Sequence, residues 1–153
     1  MTALIGTVVS PVRWEAGETF TSIGCYTLAA PIADTDTITW TGLIPNGGVR
    51  IDSIFINSVE LDTHATPTAT AIFGDAGDTD RFMSASGVGL AAADQTRVIL
   101  SDNRAYSLAN GVGAGYVYSA TAALILTINA AVATAASAGD MVIKVTYTCV
   151  GNA

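Results

Sequence analysis

Charged side chains, and basic ones above all, are scarce in this chain of 153 residues. Charged residues make up 12% of it, about half the usual share of a globular protein. Six Lys and Arg residues, scattered along the sequence, stand against thirteen Asp and Glu, and the net charge is −7. Nucleic acids and anionic membrane surfaces both bind through clustered Lys and Arg. The sequence therefore predicts neither as a partner.

Long apolar runs and a secretion signal are also missing. The N-terminus has no basic segment followed by an apolar stretch. Residues 105–139 carry no charge, but Gly, Asn, Thr and Ser interrupt them throughout, whereas a spanning helix needs about 20 mainly apolar residues. Half of the chain is hydrophobic, which excludes a disordered protein. The length indicates one domain with a core of its own.

Cysteine and histidine are too few for most catalytic or metal chemistry. Cys25 and Cys149 could form one disulfide only if their strands pair, and Cys149 ends an alternating apolar series that predicts a buried thiol. The single histidine, His64, lies in a polar turn, where a solvated side chain is the usual outcome, and no nucleophile motif accompanies it. We predict no enzyme, no cofactor and no catalytic residue.

Two groups of residues leave a choice between ligand binding and ordinary structure. Asp75, Asp78 and Asp80 could hold calcium, but the Gly and the final Glu of a calcium loop are missing. The favoured alternative has the Asp side chains bonding nearby backbone N–H groups, with Arg81 balancing one carboxylate. Three tyrosines could stack on sugars or pack in a core or interface, and both interpretations stay open. They are Tyr106, Tyr116 and Tyr118.

Alternation of apolar and polar residues, bounded by Gly, Pro, Asn and Asp, is the dominant pattern. It predicts a hairpin around Pro45-Asn46-Gly47-Gly48, with Thr37–Ile44 as one arm. In the return arm Val49, Ile51, Phe55, Val59 and Leu61 are predicted to face one side, and Arg50, Asp52, Ser58 and Glu60 the other. Further strands are predicted at Leu4–Val9, Phe20–Leu28, Thr68–Phe73, Thr96–Leu100, Tyr116–Ala120, Ala122–Asn129 and Met141–Cys149.

Eight or so short antiparallel strands in a chain of this length indicate an all-β sandwich, and a jelly roll is the common version with eight strands. Helical patterns are absent apart from one possible turn at residues 91–94. We divide the chain into an N-terminal arm or edge strand, residues 1–18, and a single sandwich domain, residues 19–153.

Three segments together resemble a group of small virion proteins of tailed bacteriophages. They are DTDTITWTGLIPNGGVRIDSIFINSVELDT at residues 34–63, TATAIFGDAGDTDRFM at residues 68–83 and YVYSATAALILTINAAVATAASAGDMVIKVTYT at residues 116–148. In that group a strand ending in Gly-Asp-Ala leads into an Asp-rich DxDRF connection. The resemblance begins near Asp34 and ends near Thr148, and it carries over no active site.

The resemblance implies a β-sandwich of the decoration or cement type, which coats the outer surface of a phage capsid. It implies binding to the major capsid protein, self-association with a homotrimer favoured over a dimer, synthesis in the host cytoplasm and a final place on the capsid exterior. One alternative is a neck, tail or fibre-associated virion protein whose sandwich binds a receptor or carbohydrate. Another is a carbohydrate-binding module of a secreted enzyme.

The segment before the resemblance supplies the candidate assembly contacts, because terminal segments often attach such proteins to the shell. Its apolar side chains are Leu4, Ile5, Val8, Val9 and Trp14. We expect removal of residues 2–14 to weaken capsid binding while the sandwich stays folded.

Overall fold

The protein, seen in a computed structural model, is built from β-strands. The structure describes residues 3–9, 16–28, 30–86, 96–100, 115–135 and 139–151. The strands are β1 (Ala3–Val9), β2 (Thr19–Leu28), β3 (Thr37–Ile44), β4 (Val49–Ser58), β5 (Thr70–Asp75), β6 (Asp78–Ser86), β7 (Thr96–Leu100), β8 (Val117–Tyr118), β9 (Ala122–Ala130) and β10 (Gly139–Cys149). No helix occurs in these ranges, so none is long and apolar enough to cross a membrane. The helical turn predicted at residues 91–94 lies outside them.

Eight of the strands form two four-stranded antiparallel sheets. One sheet has the order β2-β10-β4-β7 and the other the order β3-β9-β5-β6. The pairs β5–β6, β4–β7, β3–β9 and β2–β10 are nested one inside another along the chain. A long hairpin of this kind that wraps around a core is a jelly roll. The predicted fold class is confirmed.

β1 belongs to both sheets. Its first half, Ala3–Gly6, pairs in parallel with β3, and its second half, Thr7–Val9, pairs antiparallel with β2. Strands that pass from one sheet to the other are a known way of making a corner in a sandwich. β1 therefore covers the edges of β2 and β3, which would otherwise present unpaired N–H and C=O groups. The predicted boundary between residues 1–18 and 19–153 stays a prediction.

The inward faces of the two sheets share one hydrophobic core. Trp40, Phe73 and Tyr147 are its largest fully buried side chains. Burial of each large apolar side chain contributes about 1.5–3 kcal/mol to folding. Alternate residues of β10, from Met141 to Cys149, point into this core, as the sequence pattern predicts. Cys149 and the exposed Cys25 are both free thiols, so no disulfide joins β2 and β10.

The predicted hairpin between β3 and β4 is wrong. β3 pairs with β1 and β9, whereas β4 pairs with β10, β7 and β8, so the two strands lie in opposite sheets. The predicted glycine turn does form, because Gly47 and Gly48 have φ angles of 123° and 71°. It builds an arch over the core instead of a hairpin. Both strands carry strongly apolar faces, and facing each other across the core buries the two faces together.

A β-bulge in β4 also corrects the predicted faces of that strand. Along β10, Thr146 is opposite Ser53 and Tyr147 is opposite Ile51, so Asp52 is an extra residue. The alternation changes phase there: Phe55 is exposed and Ser58 is buried, the reverse of the prediction. Val49 and Ile51, which precede the bulge, are buried as predicted.

β6 is a strand that the sequence does not predict, because its first half, Asp78-Thr79-Asp80-Arg81, is polar and resembles a turn. It pairs with β5 around the two-residue tip Ala76-Gly77. There is no room for a side chain at Gly74, because a Cβ atom there would overlap the Asp78 carbonyl oxygen. The close approach of β5 and β6 therefore requires glycine at that position.

Candidate assembly surface

Four of the five predicted assembly residues lie in β1. Leu4 and Ile5 fall in the half that pairs with β3, and Val8 and Val9 in the half that pairs with β2. Trp14 lies outside the described residues. The structure thus brings four of these positions together on one strand with backbone partners inside the chain. Their contact with a neighbouring protein stays a prediction.

A second candidate surface, missed by sequence reasoning, is the outer side of β2, β10 and β4. Ile23, Lys144 and Phe55 form one row across the three strands. Cys25, Val142 and Asn57 form the next row. We call the group Ile23, Cys25, Phe55, Val142 and Lys144 the β10 face.

The β10 face is unusually apolar for an exposed sheet surface. Ile23, Phe55 and Val142 are 41%, 40% and 38% exposed. Only five large hydrophobic side chains are exposed in the part of the chain whose side chains the structure describes, and these three are neighbours. Contiguous exposed apolar groups commonly mark interaction sites. The sequence did not reveal this patch because the bulge at Asp52 is what turns Phe55 outward.

Lys144 lies in the centre of the β10 face and has no ion-pair partner among the described residues. Two described carboxylates on the same side of the sheet are engaged elsewhere. Asp140 accepts a hydrogen bond of 2.8 Å from the Thr27 hydroxyl. Asp52 accepts bonds from Arg50, at 3.1 Å, and from the Thr148 hydroxyl, at 2.6 Å.

Threonines border the β10 face on the side of the Asp52 bulge. Thr21 and Thr146 share a hydroxyl hydrogen bond of 3.4 Å, and Thr19 and Thr148 share one of 3.2 Å. Paired hydroxyls leave few unsatisfied polar groups there. The surface thus consists of an apolar centre around one lysine and a polar border whose hydroxyls bond each other.

The Asp-rich connection is a structural ion-pair cluster. Asp75 is buried, and its carboxylate accepts bonds from Arg81 Nε at 2.6 Å and from the Tyr118 hydroxyl at 2.5 Å. The backbone N–H groups of Gly77 and Asp78 donate to its other oxygen. The interpretation in which Asp bonds backbone N–H groups and Arg81 balances a carboxylate is confirmed.

These contacts set the ionisation of the cluster. Burial alone raises the pKa of Asp75, but the hydrogen bonds from Arg81, Tyr118 and Gly77 outweigh it and hold the pKa below its ordinary value. Burial, together with the bond to Asp75, raises the pKa of Tyr118. Asp75 therefore stays a carboxylate and Tyr118 a phenol over the whole physiological range. The described ranges include Asp75, Asp78 and Asp80. No group of three or more His, Cys, Asp or Glu side chains in these ranges could hold a metal ion.

The tyrosines considered for sugar stacking pack inside the protein where the structure describes them. Tyr118 is buried and meets Tyr116 edge to face, with ring centroids 4.8 Å apart. The Arg81 guanidinium lies 4.1 Å from the centre of the Tyr116 ring. Tyr106 lies outside the described residues. Core packing is thus the interpretation that holds for Tyr116 and Tyr118.

Asp62 is a second buried carboxylate that the sequence did not single out. Its two oxygens accept five backbone hydrogen bonds of 2.9–3.3 Å. The donors are the N–H groups of His64, Thr68, Ala69, Ala133 and Thr134. Burial raises the pKa of Asp62, but these bonds more than offset it, and the pKa lies far below its usual range. The carboxylate joins two loops that are distant in sequence, so no local pattern could have revealed it.

His64 lies exposed in the first of these loops, as predicted. Its Nδ1 atom accepts a hydrogen bond of 3.1 Å from the Thr66 N–H. The Thr66 hydroxyl lies 3.0 Å from the same nitrogen, within the same turn. No hydrogen bond or ion pair joins the ring to a carboxylate or a thiol in the described residues.

Comparison with known proteins places the fold among phage capsid structures. No family model and no curated protein sequence matches the chain. Among solved structures, a chain of the cyanophage Pam1 capsid asymmetric unit is 24% identical over 92% of this chain and 91% of its own, with a TM-score of 0.66. A chain of the capsid of Ralstonia phage GP4 is 18% identical over 92% and 90%, with a TM-score of 0.62.

A third similar chain comes from the acidic stable capsid structure of Helicobacter pylori bacteriophage KHP30. It is 11% identical over 95% of this chain and 94% of its own, with a TM-score of 0.54. At these identities the likeness is one of fold, and it covers each chain almost completely. The resemblance to small β-sandwich proteins of phage virions is therefore confirmed at the level of the fold.

Proposed function

We propose that this chain is a structural protein of a tailed-phage virion, which binds the outer surface of the capsid and reinforces it. The observation that carries the proposal is the fold match to chains of three phage capsid structures over at least nine tenths of both partners. The matched structures are capsids, so the head is the proposed place, in preference to the neck, tail or fibre.

The charge of the chain supports the outer surface. A protein with a net charge of −7 is repelled by packaged DNA, and its six cations are too few and scattered to line a DNA-facing surface. An acidic exterior also keeps particles apart from each other in solution. The proposed partner is accordingly the major capsid protein, and no nucleic acid or catalytic role is proposed.

Self-association is the second part of the proposal. A ring of three copies would bury surface that one small sandwich leaves exposed, and closed symmetry is the usual arrangement of such contacts. We propose a homotrimer, which light scattering of the purified protein tests directly. A monomeric or dimeric mass at micromolar concentration would overturn this part alone.

Binding to capsids is the decisive test of function. Purified protein is added to expanded heads that lack it, and bound protein is counted after sedimentation. We expect saturable binding with a fixed number of copies per head and greater resistance of the loaded heads to heat. Heads that already carry the protein serve as the control and should take up no more. Absence of saturable binding would refute the proposed function.

A further inference from the structure

We propose that the β10 face is the surface that docks on the capsid shell, with Lys144 facing a carboxylate of the shell protein within a ring of apolar contacts. This inference rests on the proposed function and adds to it the surface used and the chemistry of the partner. It differs from the N-terminal contacts expected from the sequence, four of which lie on β1.

Packing is the first argument. The rows Ile23–Lys144–Phe55 and Cys25–Val142–Asn57 cross three adjacent strands, so the exposed apolar side chains lie side by side on a regular sheet. The protein's own core lies on the opposite side of the same strands. With respect to the described residues, the β10 face is thus available without any change in the fold.

The charge of Lys144 indicates which kind of surface binds the β10 face. Lys144 is the only lysine of an acidic chain, and it has no ion-pair partner among the described residues. A two-fold contact between two β10 faces would bring two Lys144 ammonium groups together, and an isologous interface repeats the same patch on both sides. Like charges facing each other in an interface are strongly unfavourable. The fitting partner is therefore a surface other than a second β10 face, with a carboxylate among apolar groups, and we assign it to the shell protein.

The border of the face supports the same assignment. The threonine hydroxyls bond each other, while Asp52 and Asp140 are engaged by Thr148, Arg50 and Thr27. Lys144 is therefore the cation that a docking partner must satisfy. An interface with an apolar centre and a polar border that needs no new partner is the common arrangement of specific contacts.

The charge of Lys144 is tested on capsid binding. Lys144→Gln should raise the Kd for decoration-free heads at least about 30-fold, because it leaves the shell carboxylate buried without its partner. Lys144→Arg should bind within about threefold of the natural protein, since it keeps the cation. Asn129→Asp is the matched control: it changes net charge by the same amount on the exposed side of the other sheet and should leave Kd unchanged.

The apolar ring is tested by a matched pair of valines. Val142→Ala, on the β10 face, should weaken binding about threefold or more. Val150→Ala removes the same group from a side chain that is 43% exposed beyond the threonine border, and it should have no effect. Circular dichroism and melting curves check that all variants stay folded, as expected for substitutions at exposed positions.

The outcomes separate the two proposals. If the natural protein does not bind heads, the proposed function fails and the docking surface with it. If the natural protein binds and Lys144→Gln binds equally well, the docking surface alone is wrong. If Lys144→Gln instead lowers the oligomeric mass in light scattering, the β10 face lies between copies of this chain, which also overturns the inference.

Discussion

Replacing Asp62 with Asn should destabilise the protein far more than a change of one atom suggests. In the natural protein one oxygen accepts three backbone N–H bonds, from Thr68, Ala69 and Ala133, and the other accepts two. An Asn side chain keeps one acceptor oxygen and places an NH₂ group where the other was. In its better orientation the amide oxygen takes the three donors, and two N–H groups then face a donor.

The magnitude follows from those two lost bonds. A hydrogen bond to a charged group contributes about 1.5–3 kcal/mol, and a buried donor left without a partner costs about 1–3 kcal/mol. Water can reach part of this loop, so we expect the free energy of unfolding to fall by about 2–4 kcal/mol. For a chain of this size that corresponds to a fall in Tm of roughly 5–15 °C.

The difference between the two proteins should also depend on pH. The folded-state pKa of Asp62 lies below its unfolded-state value, which is about 3.9. The stabilisation by the carboxylate is therefore fully present above about pH 5 and is lost as pH falls through the unfolded-state pKa towards the folded one. The amide that replaces the carboxylate in the variant does not titrate. The gap in Tm should therefore be constant from about pH 5 to 7 and shrink progressively below about pH 4.

Thermal melts followed by circular dichroism at several pH values provide the assay. Asp140→Asn is the control, since it makes the same chemical change at an exposed carboxylate with a single hydrogen bond to Thr27. It should alter stability by no more than about 0.5 kcal/mol. A Tm for Asp62→Asn within about 2 °C of the natural protein at neutral pH, by the scale of the expected shift, would refute the reasoning.

Three further outcomes are expected. Gly24→Ala should lower stability by about 1–3 kcal/mol in urea unfolding, because its Cβ would lie 2.6 Å from Trp40 Cδ1; Thr21→Ala, outward on the same strand, is the control, and equal stability of the two would contradict the clash. Tyr118→Phe should cost about 1.5–3 kcal/mol in the same assay, since it removes the hydroxyl bond to Asp75; an unchanged midpoint would show that the bond contributes nothing. Excess calcium or a chelator should leave Tm unchanged, because Arg81 and Tyr118 already occupy the Asp75 carboxylate; a rise of several degrees with calcium would revive a metal site.

Sequence reasoning recovered what is local in this fold. Strands such as β9 and β10 alternate regularly, so their existence and their buried faces could be predicted within a residue or two. Pairing was harder, because the glycine turn after β3 suits a hairpin and an arch equally well. The single extra residue Asp52 then reversed the face on which Phe55 lies. The β10 face depends on that reversal, because the reversal places Phe55 on the outer side of the sheet. The alternation of apolar and polar residues before the bulge does not indicate that a bulge follows.

The hydrogen bonds between Asp62 and its five donors could not be predicted either, and the reason is a different one. Its partners come from two loops more than sixty residues apart, at residues 64–69 and 133–134. Nothing in the sequence around Asp62 distinguishes it from the other carboxylates of polar turns. The pairing of β5 with β9 and the bridge between Asp62 and Ala135 bring the two loops to the same edge of the sandwich.

The central position of β10 in its sheet has a consequence for folding during synthesis. β10 is the last of the described strands along the chain, yet it lies between β2 and β4 and pairs with residues as much as 129 positions earlier. Until it emerges, the nascent chain has two unpaired strand edges in the middle of one sheet, an arrangement prone to association. Folding that depends on such distant pairs is slow. A chain that stops before Gly139 should show no cooperative unfolding, so the cell can complete this sandwich only after β10 has been translated.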